Sequence, residues 1–250
     1  MDRKEVKLRS CTYALSLVIL FILAVLVMQL VAAADPSGPD SIDVIRNVTK
    51  NTTTTKMLNV SGGRIVTLNV NATVQDIRWK AFVGNVTGKF TLMDPEGATV
   101  FDWAIASMTG RIYATANSTA LSWANVNCSN TTHLETENVR MNHTRSDDNI
   151  SITFNASGEK NHSEFYVGNR LMPANTCPSL NTYKNSLTQN VDFEEVALYD
   201  GNNIIYASIL EEDVAGYNNY EYDFQMIVPE IGLSEFNGAT AYYIYVEIGT

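Results

Sequence analysis

Period-two alternation constrains this chain more than any other feature. Over residues 239–248, Tyr242, Ile244, Val246 and Ile248 fall on one side of an extended chain, and Tyr243, Tyr245 and Glu247 on the other. Only a β-strand sends successive side chains to opposite faces. The same pattern recurs at residues 220–228, through Tyr220, Tyr222, Phe224, Met226 and Val228. It recurs again at residues 100–105, through Phe101, Trp103 and Ile105, and at residues 64–70. There Ile65, Thr67 and Asn69 oppose Val66, Leu68 and Val70. Residues 77–83, 88–93, 111–115, 193–199 and 204–210 read as further strands. The punctuation between them has a mechanism. Asp94-Pro95-Glu96-Gly97 suits a type I turn, and Asp200-Gly201-Asn202-Asn203 closes a hairpin. About nine or ten strands at this spacing predict a mainly β fold, an antiparallel β-sandwich of immunoglobulin-like or jelly-roll-like kind.

One stretch breaks the pattern. Thr132-His133-Leu134-Glu135 has capping-box spacing, and Leu134, Asn138 and Met141 then share a helical face. Ser146-Asp147-Asp148-Asn149 offers a second helix start, weakened by the β-branched Ile150, Ile152 and Thr153. A small helical insertion is expected at about residues 129–165. The sandwich domain then spans residues 57–250, and residues 35–56 form a polar, sugar-bearing tether ahead of it.

Arg3, Lys4, Lys7 and Arg9 precede residues 12–34, which carry no charge and are mostly Leu, Val, Ile and Ala. As a helix at roughly 1.5 Å per residue that run is about 35 Å long, enough to cross a bilayer. Basic residues before it and Asp35, Asp40 and Asp43 after it place the rest of the chain outside the cell. Ala32-Ala33-Ala34 fits a signal-peptidase site. Residues 1–34 therefore read as a signal peptide or a signal-anchor helix, and both export the remainder of the chain. The residues after position 34 hold 13 Lys and Arg against 25 Asp and Glu. A net charge of −12 repels phosphate backbones, so nucleic acid is excluded as a partner.

N-glycosylation sequons stand at Asn47, Asn51, Asn59, Asn71, Asn85, Asn117, Asn127, Asn130, Asn142, Asn149, Asn155 and Asn161. Of 15 asparagines between positions 47 and 161, 12 are in sequons; of the ten after position 163, none is. That contrast predicts a densely glycosylated exported surface with a bare C-terminal third, kept bare as core or as an interface. Cys128 and Cys177 are the cysteines left after export and read as a disulfide.

No catalytic signature is present. The histidines are His133, His143 and His162, and the latter two, at the centres of sequons, are expected at the surface. The acid pairs Asp147-Asp148 and Glu194-Glu195, and Glu211-Glu212-Asp213, read as solvated rim charges. Asp200-Gly201-Asn202 reads as a turn rather than a calcium loop. No metal ligand set and no cofactor is indicated. Tyr220, Tyr222, Tyr243 and Tyr245 are the candidate contact residues, suited to stacking on sugar rings or anchoring a protein partner.

Residues 79–88 (Trp-Lys-Ala-Phe-Val-Gly-Asn-Val-Thr-Gly) resemble a segment of an uncharacterised family of exported archaeal β-rich surface glycoproteins. Residues 110–115 and 123–128, the run Asp223-Phe224-Gln225-Met226-Ile227-Val228, and the closing residues 242–247 are similar to it as well. The resemblance covers about residues 67–250. It implies an archaeal envelope or secreted glycoprotein and carries no catalytic residues. The expected role is structural or interactive: an envelope component, a coat or filament subunit, or an adhesin, partnered by further copies or other envelope proteins. The alternative is a carbohydrate-binding module using the Tyr-rich strand, with a surface hydrolase less favoured.

Overall fold

The computed structural model describes residues 35–50, 59, 61–187, 191–231 and 239–249. The expected hydrophobic helix within residues 1–34 and the sequon at Asn51 lie outside the described residues.

The chain runs through β1 (Trp79–Gly84), β2 (Lys89–Met93), β3 (Thr99–Ala104), β4 (Gly110–Thr115) and β5 (Asn127–Cys128). Helices α1 (Thr131–Arg140) and α2 (Ile150–Thr153) come next. Then come β6 (Phe165–Val167), β7 (Arg170–Met172), β8 (Ser179–Asn181), β9 (Glu194–Tyr199) and β10 (Ile204–Ile209). The last are β11 (Val214–Ala215), β12 (Glu221–Tyr222), β13 (Phe224–Pro229) and β14 (Tyr243–Ile248). All the paired strands are antiparallel.

One six-stranded sheet organises the rest. Its order is β14-β4-β10-β9-β5, with β8 also paired to β9. The remaining strands form the ribbons β1–β13, β2–β3, β6–β7 and β11–β12. The central strands are apolar on both faces because both faces are covered. On one side Ile112, Ala114, Ala197, Ile204 and Tyr206 meet Leu134, Ile150 and Phe154 from the helical stretch and Phe224, Met226 and Val228 from β13. On the other, Tyr113, Val196, Leu198, Ile205 and Ala207 meet Phe165, Val167, Met172 and Cys177. Polar bonds stitch β13 to the sheet. Ser208 Oγ donates to the Gln225 carbonyl at 3.2 Å, and the Ile227 N–H donates to Glu195 Oε2 at 2.8 Å.

The mainly β, antiparallel expectation holds. The described residues differ from two comparable facing sheets: a single large sheet carries a two-stranded ribbon and helices on one face and a short hairpin on the other. The reason lies in chain length per strand. Outside the large sheet, β6, β7, β11 and β12 are only two or three residues long, too short to build a second full sheet.

Local differences have local causes. Residues 64–70 form no strand, and Ile65 is 99% exposed; alternation alone makes a strand only where an edge is available to pair with. The first helix starts two residues earlier than the capping box suggests, because Asn130 caps it by accepting the His133 N–H at 2.9 Å. Such a cap is worth about 1 kcal/mol. The second helix is a single turn, capped by Asn149. The alternating run 220–228 breaks at Asp223, which donates its N–H to the Gly84 carbonyl and accepts from Val86 N. The turn at Asp94 forms as expected, with Gly97 N donating to the Asp94 carbonyl at 3.1 Å.

At the outer edge, Ser37 forms an antiparallel bridge to Val246 of β14 through two backbone hydrogen bonds, 3.1 and 2.8 Å. On the inner side β14 lies so close to β4 that a Cβ on Gly110 would sit 2.0 Å from the Glu247 carbonyl oxygen. Gly110 also has φ 143°, so both space and backbone require glycine there.

Candidate functional site

Eleven of the twelve sequon asparagines are described, and none is buried. Asn47, Asn59, Asn71, Asn85, Asn127, Asn130, Asn155 and Asn161 are exposed; Asn117, Asn142 and Asn149 are half-buried. A glycan is carried on Nδ2, so this atom must reach solvent. Asn130 and Asn149 accept their capping bonds through Oδ1, so the caps do not use Nδ2. Asn142 and Asn155 take the left-handed backbone (φ 55° and 48°) that asparagine tolerates. Asn161 Nδ2 donates to Asn181 Oδ1 at 3.2 Å, and Asn117 Nδ2 donates to Asn203 Oδ1. A glycosylated amide keeps one N–H, which suffices for such a bond.

The sequon-free C-terminal third holds much of the core, in β9, β10 and β13, and also exposed asparagines. Asn169, Asn175, Asn185, Asn202 and Asn219 are exposed and outside sequons.

The sequon histidines overturn the expectation of exposure: His143 and His162 are each only 2% exposed. In extended chain the middle residue of three points away from its neighbours. At 161–163 the outer residues face solvent while His162 faces the core. Its Nε2 accepts the N–H groups of Thr176 and Cys177 at 3.0 and 2.9 Å, and its Nδ1–H donates to the Ser163 carbonyl at 2.7 Å. His143 bonds the Glu230 carbonyl through Nε2 at 3.0 Å and packs edge-on against Trp79. Both are structural groups with no nucleophile attached.

The disulfide between Cys128 and Cys177 forms, with Cα atoms 4.7 Å apart. It ties the segment that leads into β8 back to β5, closing the loop that contains both helices and the β6–β7 hairpin. A loop of this size is worth about 4 kcal/mol in the chain-entropy picture.

The structure puts the four candidate tyrosines in two places. Tyr243 and Tyr245 belong to β14 of the large sheet; Tyr220 precedes β12 and Tyr222 lies in it. Tyr245 is a packing residue, T-shaped against Trp123 at 5.2 Å, and Trp123 in turn lies 5.1 Å from Tyr113. Tyr222 stacks on Tyr217 at 6.2 Å with rings 13° apart, and Asn218 Nδ2 donates to its hydroxyl at 3.1 Å. Tyr217 escapes sequence reasoning; its one signal is an aromatic in a turn next to an alternating strand. Exposed Tyr183, Tyr217 and Tyr220 belong to this β11–β12 region and the 182–187 loop joined to it, where Asn185 N donates to the Gly216 carbonyl.

A second aromatic surface is larger. In the β2–β3 hairpin Phe90 pairs with Trp103 and Leu92 with Phe101, so all four share one face. Each stays about half exposed: 49, 50, 57 and 57%. Phe101 and Trp103 contact one another at 4.9 Å. Alternation at 100–105 reveals this face in the sequence but not that it stays uncovered.

The acids do not converge. Glu194 and Glu195 point to opposite faces of β9. Glu194 accepts from Ser163 N and Oγ; Glu195 is wholly buried on the β13 side, and burial pushes its carboxyl well above the usual range. Asp148 is held down to about 2 by its bond to Arg145. Asp200 is spent on its own turn, accepting from Asn202 N, Asn203 N and Ser122 N. Burial alone would raise its carboxyl, but those donors hold it below the ordinary value. Glu230 is likewise brought to about 2, against burial, by Lys80 and Thr240. Among the described residues no His, Cys, Asp or Glu group is arranged to hold a metal.

No family model, no curated protein and no solved structure matches this chain.

Proposed function

We propose that this chain is an exported, N-glycosylated protein of an archaeal cell surface with a structural or interaction role. It is an envelope component, a coat or filament subunit, or an adhesin, and not an enzyme. One observation carries this: 12 of the 15 asparagines between positions 47 and 161 stand in sequons and none of the ten after position 163 does, and no described sequon asparagine is buried. Residues 12–34 export the domain, either cleaved after Ala34 or kept as an anchor. The stack of the β1–β13 ribbon on the large sheet is read as a reduced sandwich. Its partners are further copies or other envelope proteins.

Glycopeptide mass spectrometry of the native protein tests the reading. Occupied sequons across residues 47–161 support it; an unmodified chain in the cytoplasm overturns it. Light scattering on the same sample separates a subunit of an assembly from a monomeric receptor.

A second reading, a carbohydrate-binding module, is favoured by the Tyr217–Tyr222 stack rather than by β14. It predicts loss of glycan binding on Tyr217→Ala and no loss on Tyr245→Ala beyond that from instability.

A further inference from the structure

An isolated two-stranded hairpin is marginal in water and needs a covering layer. The β2–β3 hairpin has its apolar face, Phe90, Leu92, Phe101 and Trp103, about half exposed, with the Lys89–Asp102 ion pair on the other face. Exposed apolar patches of several hundred Å² mark a binding surface for protein or membrane.

Three observations choose between these. The first is where the chain arrives. Ser37 bridges Val246 antiparallel, so the chain before Ser37 runs toward the Ile248 end of β14. The hairpin is rooted at that same end. A Cβ on Gly88 would meet Ile248 Cδ1 at 2.4 Å, and one on Gly249 would meet the Phe90 ring at 2.9 Å. Val246 to Ile248 is about 7 Å of strand. Asp35, the first described residue after the apolar segment in the sequence, therefore lies on the side of Ser37 that faces the root of the aromatic hairpin. The second is area. Four such side chains, half exposed, offer about 400 Å² per copy. Two copies face to face would bury about 800 Å², the size of a packing contact rather than of a specific dimer at about 1,200 Å² or more. The third is sugar. Sequons at Asn85 and Asn117 bracket the hairpin, and none lies between them.

We propose that the apolar face of the β2–β3 hairpin lies flat in the interfacial layer of a lipid bilayer, beside the point where residues 12–34 enter it. Trp and Phe are suited to that layer. Asp94 and Glu96 at the turn keep the tip in the headgroup region, so the hairpin rests on the membrane rather than piercing it. The proposal rests on the exported reading with residues 12–34 retained as an anchor.

The test uses the full chain reconstituted in phosphatidylcholine vesicles, with and without bromine on the acyl chains, and compares it with Trp103→Phe. Bromine quenches a tryptophan it touches, and the candidates are Trp79, Trp103 and Trp123. Flotation of the vesicles is scored on the same samples. The expected result is a chain that floats, with bromolipid quenching that drops several-fold in Trp103→Phe. A chain that floats but is quenched equally in both forms overturns the hairpin contact and leaves the anchor standing. A chain that does not float overturns the anchored reading, and the proposal with it. Shielding of Trp103 that appears only at high protein-to-lipid ratio assigns the face to a second copy and also overturns the proposal.

Discussion

Nε2 of His162 accepts the backbone N–H of Cys177 at 2.9 Å, so a residue in the middle of a sequon holds one end of the disulfide. The same atom accepts Thr176 N at 3.0 Å, so protonating it would break both bonds. Burial, first among the causes, lowers the imidazole below its ordinary 6.5, against the pull of the Ser163 carbonyl and Glu194. The unfolded chain takes up the proton first. The contribution is therefore whole above about pH 6.5 and is lost as pH falls below it. Thermal melts from about pH 7.5 to about pH 5 should show this loss. His162→Gln keeps an acceptor without the titration and flattens that part of the profile; an unchanged profile would count against this role.

Glu195 predicts the opposite slope. Its carboxyl is wholly buried, bonded by one N–H, and raised by burial against the pull of Ile227 N. A raised acid supplies stability that is whole below its unfolded value and disappears as pH rises through the folded one. Glu195→Gln should leave stability near pH 5 within about 1 kcal/mol and lessen the decline toward about pH 9. Urea unfolding at the two pH values measures it.

Asn127-Cys128-Ser129 is a sequon whose centre is in the disulfide and whose Ser129 is buried. Glycan transfer there competes with cysteine pairing and folding. Asn127 should be the least occupied sequon, and Cys128→Ser should raise its occupancy in glycopeptide spectra. The same change should cost about 4 kcal/mol of stability.

Tyr245→Ala should behave as a core substitution. Removing the ring that packs on Trp123 should cost about 2–4 kcal/mol, read as a fall in melting temperature. Tyr243→Ala, exposed on the same strand, should move it little. Equal effects would argue against the assignment of Tyr245 to the core.

Local order is legible in the sequence and distant pairing is not. β4, β9, β10 and β14 show themselves because their apolar runs are dense and bounded by turns. β1 pairs with β13 across more than a hundred residues, and no local pattern names that partner. Residues 64–70 alternate as well as β14 does, yet lack an edge to pair with among the described residues. The helix start shifts because Thr132 and Asn130 can both cap, and only packing decides between them. Asparagines in and out of sequons alike stay unburied among the described residues, so exposure does not single out the sequons. Sequon spacing misleads on His143 and His162 because a glycan constrains the asparagine and not the residue after it. Alternation groups the four tyrosines together, whereas the fold puts Tyr220 and Tyr222 at the β11–β12 ribbon and Tyr243 and Tyr245 on β14, where Trp123 covers Tyr245.

The clasp of Ser37 on Val246 also bears on solubility. β14 is the outermost strand of the large sheet, and an open outer strand is a template for strangers. The chain's own residues 36–38 lie over it, with Pro36 buried and unable to donate a hydrogen bond. Proteolytic trimming past Ser37 would remove that guard, and the trimmed protein would aggregate edge to edge where the longer one stays dispersed.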